Sequence, residues 1–222
     1  MSKNIHIVPA IWPVDFNTGA NPGDYINMKN YKTAFVSIMQ NTAAGTAAVT
    51  LVQAKDVAAT GAKALAFTRY YMTGIKLNYT SPTGMFTVGE TVTGAGGGSG
   101  VVYKDYGNCL LLYTVNATAF VDAELLTGGT SGITATCSGT NTDEDTLLPV
   151  DLAAGVNTFT IPAVATRKYV IPITADMLDG ANGYDCVRVH IAQATAAGIG
   201  SAEYILADPR YSEEPMPSAI YD

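Results

Sequence analysis

Charged residues are scarce in this chain of 222 residues: they make up 14% of it, against roughly 25% in an average domain. The net charge is −7, and no basic stripe is available to neutralise phosphates. The sequence therefore argues against a nucleic-acid partner. We also do not expect the chain to be disordered, because 48% of the residues are hydrophobic. What remains is a globular chain whose surface is made of Thr, Asn, Ser and Gly.

Long apolar runs and targeting signals are missing as well. No stretch reaches the roughly 18 consecutive apolar residues of a transmembrane helix. The N-terminus has no basic segment followed by an apolar run, so we expect no signal peptide and synthesis in the cytosol. The three cysteines show no C-x-x-C spacing, and free thiols are the default in a cytosolic protein. Cys186 is predicted to be buried in an apolar strand, while a pair between Cys109 and Cys137 is left open.

Signatures of catalysis and of cofactor binding are absent from the sequence. The glycine-rich stretch 94–100 lacks the Lys-Ser/Thr of a phosphate loop and is followed by β-branched residues rather than a helix. His6 and His190 are distant in sequence, with no nucleophile or carboxylate partner indicated. The acidic run 143–145 lacks the EF-hand pattern, which favours a solvated loop over a calcium site. We therefore predict a protein that is not an enzyme, with no catalytic residue, cofactor or metal; a hydrolase would need an acid/base set that is not found.

Short β-branched and alternating runs, separated by turn residues, are what the chain does contain. Two of them, 33–40 and 46–54, are separated by a Gly-containing gap and are predicted to form a hairpin. Residues 55–66 and 139–157 are predicted to be loops. About seven or eight strands with almost no helix predict an all-β fold, an antiparallel β-sandwich or jelly roll. The other predicted strands are 66–72, 158–161, 168–173, 184–191 and 202–207.

The middle of the chain contains a duplication. Residues 86–94 and 120–128 share an aromatic, an acidic residue and a Thr-Gly ending at an offset of 34. A glycine-rich turn and a β-branched run follow each copy. Beyond the turn, matching Ser99 with Ser131 gives an offset of 32. On this match, the glycine-rich turn of the second copy is two residues shorter than that of the first copy. We interpret residues 79–140 as a small β-hairpin module inserted into the sandwich.

The predicted organisation has an N-terminal arm (1–24), a β-sandwich core (25–78 and 141–211), the inserted module and a C-terminal tail (212–222). Prolines in the first arm exclude a regular helix there. Both arms carry apolar anchors, which either reach neighbouring copies or fold back on their own domain. Trp12 is favoured as such an anchor over a sugar platform. The interface candidates are Ile11, Trp12, Arg210, Tyr211, Met216, Ile220 and Tyr221.

Four segments resemble small head proteins of tailed bacteriophages and prophages. The resemblance covers residues 17–72 and 156–222. The repeat in the middle is similar to Gly-Glu-Thr-Val-Thr-Gly β-repeats that are added to many phage virion proteins, and the plain form of the group lacks it. The segments are 17–31 (NTGANPGDYINMKNY), 45–54 (GTAAVTLVQA, followed by GAKAL at 61–65), 182–189 (NGYDCVRV) and 204–211 (YILADPRY).

The resemblance implies a jelly-roll or sandwich protein that binds the outer capsid surface as a decoration or cement protein and stabilises the head. It implies the major capsid protein as partner, a homo-oligomer (a trimer is favoured), no membrane, and a place on the virion after synthesis in the bacterial cytoplasm. It carries over no catalytic residue. The alternative is a carbohydrate- or receptor-binding module of a phage head or tail fibre, with Tyr103, Tyr106 and Tyr113 as an aromatic platform. We expect removal of 1–16 or 212–222 to abolish capsid binding and to leave a folded domain.

Overall fold

The structure, a computed structural model, describes residues 5–41, 45–113, 116, 118–140, 142–163 and 166–210. Their regular structure is nearly all antiparallel strand, which confirms the predicted all-β class. No helix in this part of the chain has the length and apolar character needed to span a membrane. The strands are β1 (Ile5–Asp15), β2 (Asn21–Pro22), β3 (Ile26–Asn27), β4 (Tyr31–Gln40), β5 (Ala47–Ala54), β6 (Lys63–Leu65), β7 (Arg69–Thr80), β8 (Thr91–Gly94), β9 (Ser99–Asp105), β10 (Cys109–Tyr113), β11 (Leu125–Gly128), β12 (Thr134–Cys137), β13 (Thr142–Asp151), β14 (Thr158–Ile161), β15 (Arg167–Thr174), β16 (Cys186–Ile191) and β17 (Ile199–Pro209).

The chain divides into two compact units. The first comprises Met1–Tyr71, Pro149–Ile161 and Ala165–Asp222, and the second comprises Met72–Leu148 and Pro162–Val164. The predicted module covered 79–140, whereas the second unit also takes in most of β7 and of β13. Part of the predicted loop 139–157 is therefore strand, since β13 pairs with β7.

The first unit is a jelly roll. The roll has eight strands when the short β2 and β3, which both pair with β16, are counted as one and the short β6 is left out. Taken in chain order, the first strand pairs with the eighth (β1 with β17) and the second with the seventh (β2 and β3 with β16). The third pairs with the sixth (β4 with β15) and the fourth with the fifth (β5 with β14). The pairs β4–β17 and β5–β16 join these ribbons into two sheets. We call them sheet A, in the order β1-β17-β4-β15, and sheet B, in the order β14-β5-β16-β2. This is the strand order of a rolled-up eight-stranded ribbon, so the jelly-roll prediction is confirmed.

The hairpin predicted over 33–40 and 46–54 is wrong. β4 belongs to sheet A and β5 to sheet B, so the chain crosses between the sheets here instead of turning within one. Both strands turn an apolar face toward the core, where Val36 and Leu51 are fully buried. A Gly-containing gap indicates a change of direction, but it does not distinguish a turn within a sheet from a crossing between two sheets.

Of the predicted irregular arm at 1–24, the 11 residues Ile5–Asp15 are instead a strand. β1 lies at the end of sheet A and pairs with β17 from Ile5 opposite Ala207 to Asp15 opposite Ile199. Its prolines fit because an edge strand has backbone positions without a ladder partner, and because the register shifts on both sides of Ile11. Removing residues 1–16 would delete a strand of the jelly roll. We therefore expect this truncation to destabilise the domain itself, contrary to the expectation from the sequence.

Tyr204 of sheet A connects the two sheets. Its side chain is fully buried, and its hydroxyl accepts a hydrogen bond from the Val189 backbone N–H of sheet B and donates one to the Asp24 carbonyl, both at 2.9 Å. The hydroxyl occupies the break between β2 and β3. A Cβ atom at Gly23 would come within 2.9 Å of it, so the absence of a side chain at Gly23 permits this close approach.

The second unit is a closed six-stranded barrel rather than a hairpin module. Following the pairings, the ring runs β7-β10-β9-β8-β11-β12 and returns to β7. Each copy of the repeat supplies one hairpin, β8–β9 or β11–β12, while β7 and β10 close the ring. Equivalent positions of the two copies fill the interior. The buried residues are Ile75, Leu77, Tyr79, Phe86, Val92, Val102, Leu110, Leu112, Phe120, Leu126, Ala135 and Cys137.

A pseudo-twofold axis relates the two copies and passes between β8 and β11, where Thr93 lies opposite Thr127. Beyond the glycine turn, Ser99 pairs with Thr93 and Thr134 pairs with Thr127. Ser99 therefore corresponds to Thr134, an offset of 35. The predicted match of Ser99 with Ser131 is wrong. It was based on identical residue type, whereas the strand register determines which positions of the two copies are equivalent. The second turn is one residue longer than the first.

The acidic residue of each repeat binds the turn of the other copy. Glu90 has 4% of its surface exposed. Its carboxylate accepts hydrogen bonds from the backbone of Thr87 in its own copy (2.6 Å), and from the backbone of Thr130 (3.0 Å) and of Ser131 (2.8 Å) in the other. The Ser131 hydroxyl donates a fourth bond at 2.8 Å. Because these donors come from both copies, Glu90 ties the two halves of the barrel together.

Glu124 makes the reciprocal connection with fewer bonds. It accepts from the backbone N–H of Val121 in its own copy and of Gly96 in the other, both at 2.7 Å. The repeated acidic position is thus a structural anchor in both copies. Glu90 anchors more strongly, because it has more donors and is more deeply buried.

Candidate functional site

The outer faces of the two sheets differ in chemistry. Sheet B exposes a polar face, with Thr50, Thr158, Thr160, Arg188 and His190 alternating with buried residues. The alternation of Arg188 and His190 with buried apolar residues confirms the sequence prediction. Sheet A carries mainly apolar side chains on the outside as well as on the inside. We call this outer surface of sheet A the apolar face; its apolar members are Ile5, Ile7, Phe35, Met39, Val170, Pro172, Ile199 and Ile205.

Several side chains of the apolar face are well exposed. Met39 is 56% exposed, Ile199 50% and Ile7 43%. Single exposed apolar residues are ordinary on a protein surface, whereas a contiguous set marks an interaction site. Among the described residues of this face, the charged ones are Glu203 and Lys168, with Asp15 opposite Ile199 and Asp208 beside Thr33 at its ends. The face therefore carries few charges over its four strands.

A groove of about 190 Å³ crosses the apolar face between β1 and β4. Ile7, Ile11, Trp12 and Met39 line it. The register shifts on both sides of Ile11 break the strict alternation of β1, so that Ile11 is 8% exposed while its neighbour Trp12 is 74% exposed. The bulged edge strand thus places the single tryptophan of the chain at the rim of the groove.

Ser37 also lines this groove, opposite Glu203 in the β4–β17 pairing. Only 1% of Ser37 is exposed, and its Oγ has no hydrogen-bond partner within the part of the chain that the structure describes. Leaving a buried hydroxyl unpaired costs about 1–3 kcal/mol. A partner that inserts a hydrogen-bonding group into the groove would recover this cost. The groove therefore combines apolar walls with polar groups, of which the Ser37 hydroxyl is the buried one, and Ser201 and Glu203 also line it.

The structure brings together two of the predicted interface residues, Ile11 and Trp12, in this groove. Arg210 lies elsewhere: its backbone N–H donates to the Asn30 carbonyl, and it lines a separate depression with Met28 and Asp185. Tyr211, Met216, Ile220 and Tyr221 lie outside the described residues.

Sequence reasoning missed Ile7, Ser37 and Met39 as members of this surface. A signal for them was present in β4. Its run is apolar at Phe35 and Met39 as well as at the inward positions, and a strand that is apolar on both faces is typical of a sheet covered on both sides. Pattern analysis predicted the strand but not that its outer face is apolar as well.

The titratable groups give no reactive constellation in the described ranges. His6 shares a hydrogen bond of 3.0 Å with the Tyr31 hydroxyl. Burial, with a contribution from Arg188, lowers the pKa of His190. All three cysteines are free and buried, as predicted for Cys186. No group of three His, Cys, Asp or Glu side chains within the described ranges is placed to hold a metal ion.

No family model, no curated protein and no solved structure matches this chain.

Proposed function

We propose that this chain is a non-enzymatic structural protein of a tailed-phage virion, which docks on the outer surface of the major capsid protein as a decoration protein and stabilises the head. The observation that carries the proposal is the apolar face with its groove beside Trp12. The resemblance of residues 17–72 and 156–222 to phage head proteins supports the same assignment.

The size of the apolar face favours a capsid over a second copy as its partner. With strands ~4.8 Å apart and a rise of ~3.3 Å per residue, four strands of 11, 11, 10 and 8 residues present about 630 Å². Two such faces in contact would bury about 1,300 Å², near the low end for a stable pair of proteins. A capsid instead offers many equivalent sites and neighbouring subunits. Weak contacts of many copies then add up to a stabilised shell.

The chemistry of the face indicates what the capsid surface must supply. Since few charges are present, most of the matching surface has to be apolar. It must also supply a donor or a positive charge to Glu203, which lines the groove, because a buried unpaired charge would be costly. An apolar side chain entering the groove would pack against Trp12 and Met39. A backbone N–H or carbonyl beside it would pair with the Ser37 hydroxyl.

A charge placed on the apolar face is expected to abolish capsid binding. In Met39→Lys, docking would bury an unpaired ammonium group, so we expect the affinity for expanded capsids of the parent phage to fall at least tenfold. The measurement is co-sedimentation with purified capsids. Thr160→Lys is the matched control, because it adds the same charge to the polar outer face of sheet B, and it should bind like the unmodified protein.

Two results would overturn the proposal. One is equal binding of Met39→Lys and Thr160→Lys to capsids. The other comes from the solution mass, measured by light scattering: an oligomer that Met39→Lys dissociates would assign the apolar face to self-association instead.

A further inference from the structure

A second groove, of about 510 Å³, lies on the outside of the barrel. All of its lining residues belong to the second unit, and they come from β7, β9, β10, the β9–β10 turn and β13. Its volume falls in the usual range of ligand sites, about 300–1,000 Å³. The residues that carry the argument are Lys76, Tyr103, Tyr106, Asn108, Leu111 and Thr146.

The groove has an apolar floor, aromatic walls and polar groups. Leu111 points outward from the barrel yet is only 9% exposed, which places it at the floor. Tyr103 and Tyr106 flank it, and Tyr106 is 56% exposed. Lys76 and Asn108 bring several hydrogen-bond donors, and Asn108 also brings an acceptor.

The tyrosines are held in place by their neighbours. Tyr103 meets Tyr113 edge to face, with ring centroids 6.4 Å apart. The Lys104 ammonium lies 4.7 Å from the centroid of the Tyr106 ring. Ring positions that are fixed before a ligand arrives reduce the entropy that binding costs. Of the three tyrosines predicted to form a platform, Tyr103 and Tyr106 line the groove, and Tyr113 packs against Tyr103 from outside the lining.

The turn that carries Tyr106 and Asn108 is also fixed. Asp105 accepts hydrogen bonds from the Gly107 backbone (2.8 Å) and the Phe86 backbone (2.8 Å), and from the Tyr79 hydroxyl (2.6 Å). Asp105 is therefore engaged in holding the turn. The Tyr106 backbone N–H closes the turn on the Cys109 carbonyl at 3.0 Å.

We infer that this groove binds an oligosaccharide. The faces of sugar rings carry C–H groups that pack on tyrosine rings, while the hydroxyls at the ring edge need the donors and acceptors that Lys76, Asn108 and Thr146 supply. A phosphate-rich ligand fits poorly, because a single described lysine lines the groove in a chain of net charge −7.

The test is a glycan array probed with the full chain, followed by calorimetric titration of the best trisaccharide. We expect Tyr103→Ala and Tyr106→Ala each to weaken binding at least tenfold. Leu125→Ala is the control, because Leu125 is an exposed apolar residue of the barrel outside the groove (53% exposed), and it should bind as the unmodified chain does. Thermal unfolding shows whether each variant remains folded.

Two outcomes would overturn the inference: an unmodified chain that binds no glycan of the array, or tyrosine variants that bind as tightly as the unmodified chain. The result is independent of the proposed capsid docking, since the groove variants leave the apolar face unchanged. They should co-sediment with capsids whether or not they bind a saccharide.

Discussion

Replacing Glu90 by alanine is expected to lower the free energy of unfolding of the barrel by about 3 kcal/mol, since each buried donor that loses its partner costs about 1 kcal/mol or more. The substitution removes the acceptor of the backbone N–H groups of Thr87, Thr130 and Ser131, and of the Ser131 hydroxyl. The measurement is hydrogen exchange of peptides from residues 86–137, followed by mass spectrometry. Protection should fall in these peptides and remain in those of the jelly roll.

Glu124→Ala is the matched control, because the pseudo-twofold axis places Glu124 at the equivalent position. Glu124 accepts two backbone hydrogen bonds, so the expected loss is smaller, about 1 kcal/mol. Equal losses in the two variants, or a larger loss in Glu124→Ala, would contradict the role given to Glu90.

Acid should weaken the barrel through the same residue. Burial by itself raises the pKa of Glu90, but the hydrogen bonds from Ser131, Thr87 and Thr130 outweigh it and bring the pKa below its ordinary value. The native state then binds fewer protons than the unfolded state. The stabilisation is therefore fully present above the unfolded-state pKa and is lost as the pH falls through the native pKa. Unfolding measured from neutral to acidic pH should show this loss in the unmodified chain, and Glu90→Gln should lack this component.

The second large effect is expected from Tyr204→Phe, which should destabilise the jelly roll by about 2 kcal/mol. The variant keeps the ring but leaves the buried Val189 N–H and the Asp24 carbonyl without the hydroxyl that links them. Urea unfolding followed by hydrogen exchange and mass spectrometry of peptides from the jelly roll measures the change.

Tyr169→Phe provides the contrast. Tyr169 is as deeply buried, at 1% exposed, but its hydroxyl has no hydrogen-bond partner within the described part of the chain. Removing an unpaired hydroxyl from a core should be neutral or stabilising. If the two Phe variants lost the same stability, the hydrogen bonds of Tyr204 would not be what joins the sheets.

Local patterns predicted the strands well, because burial on one side of a sheet imposes alternation. The predicted strand 158–161 matches β14, and the two faces of β5 and β16 follow the alternation of their apolar residues. Pairing was harder to predict. Whether β4 and β5 form a hairpin or belong to opposite sheets depends on contacts with β15, β16 and β17, which lie more than a hundred residues further along the chain.

The repeat shows the same limit. Its copies were found from residue types, but the closure of the barrel depends on β7 and β10, which lie outside the matched segments. The conserved spacing of Glu90 and Glu124 in the two copies gave no indication that each carboxylate binds the other copy's turn. Such a bond is set by the pseudo-twofold pairing of β8 with β11, which only the three-dimensional structure supplies.

Of the candidate site, Trp12 was predicted because a lone tryptophan in a proline-rich segment stands out. Ile7, Ser37 and Met39 were not, because nothing in a single strand tells which of its two apolar faces is covered by the chain itself. That assignment follows from sheet B, which covers one side of sheet A, while no strand of the described part of the chain covers the apolar face.

The most direct test of the proposed function is hydroxyl-radical labelling of the protein, free and bound to capsids. Methionine and tryptophan are readily oxidised when exposed, and Met39 and Trp12 both lie on the apolar face. Met85 in the barrel, which is 64% exposed, serves as the internal reference. We predict that capsid binding slows oxidation of Met39 and Trp12 severalfold and leaves Met85 unchanged. Oxidation of Met39 and Trp12 at the same rate in bound and free protein would contradict docking through this face.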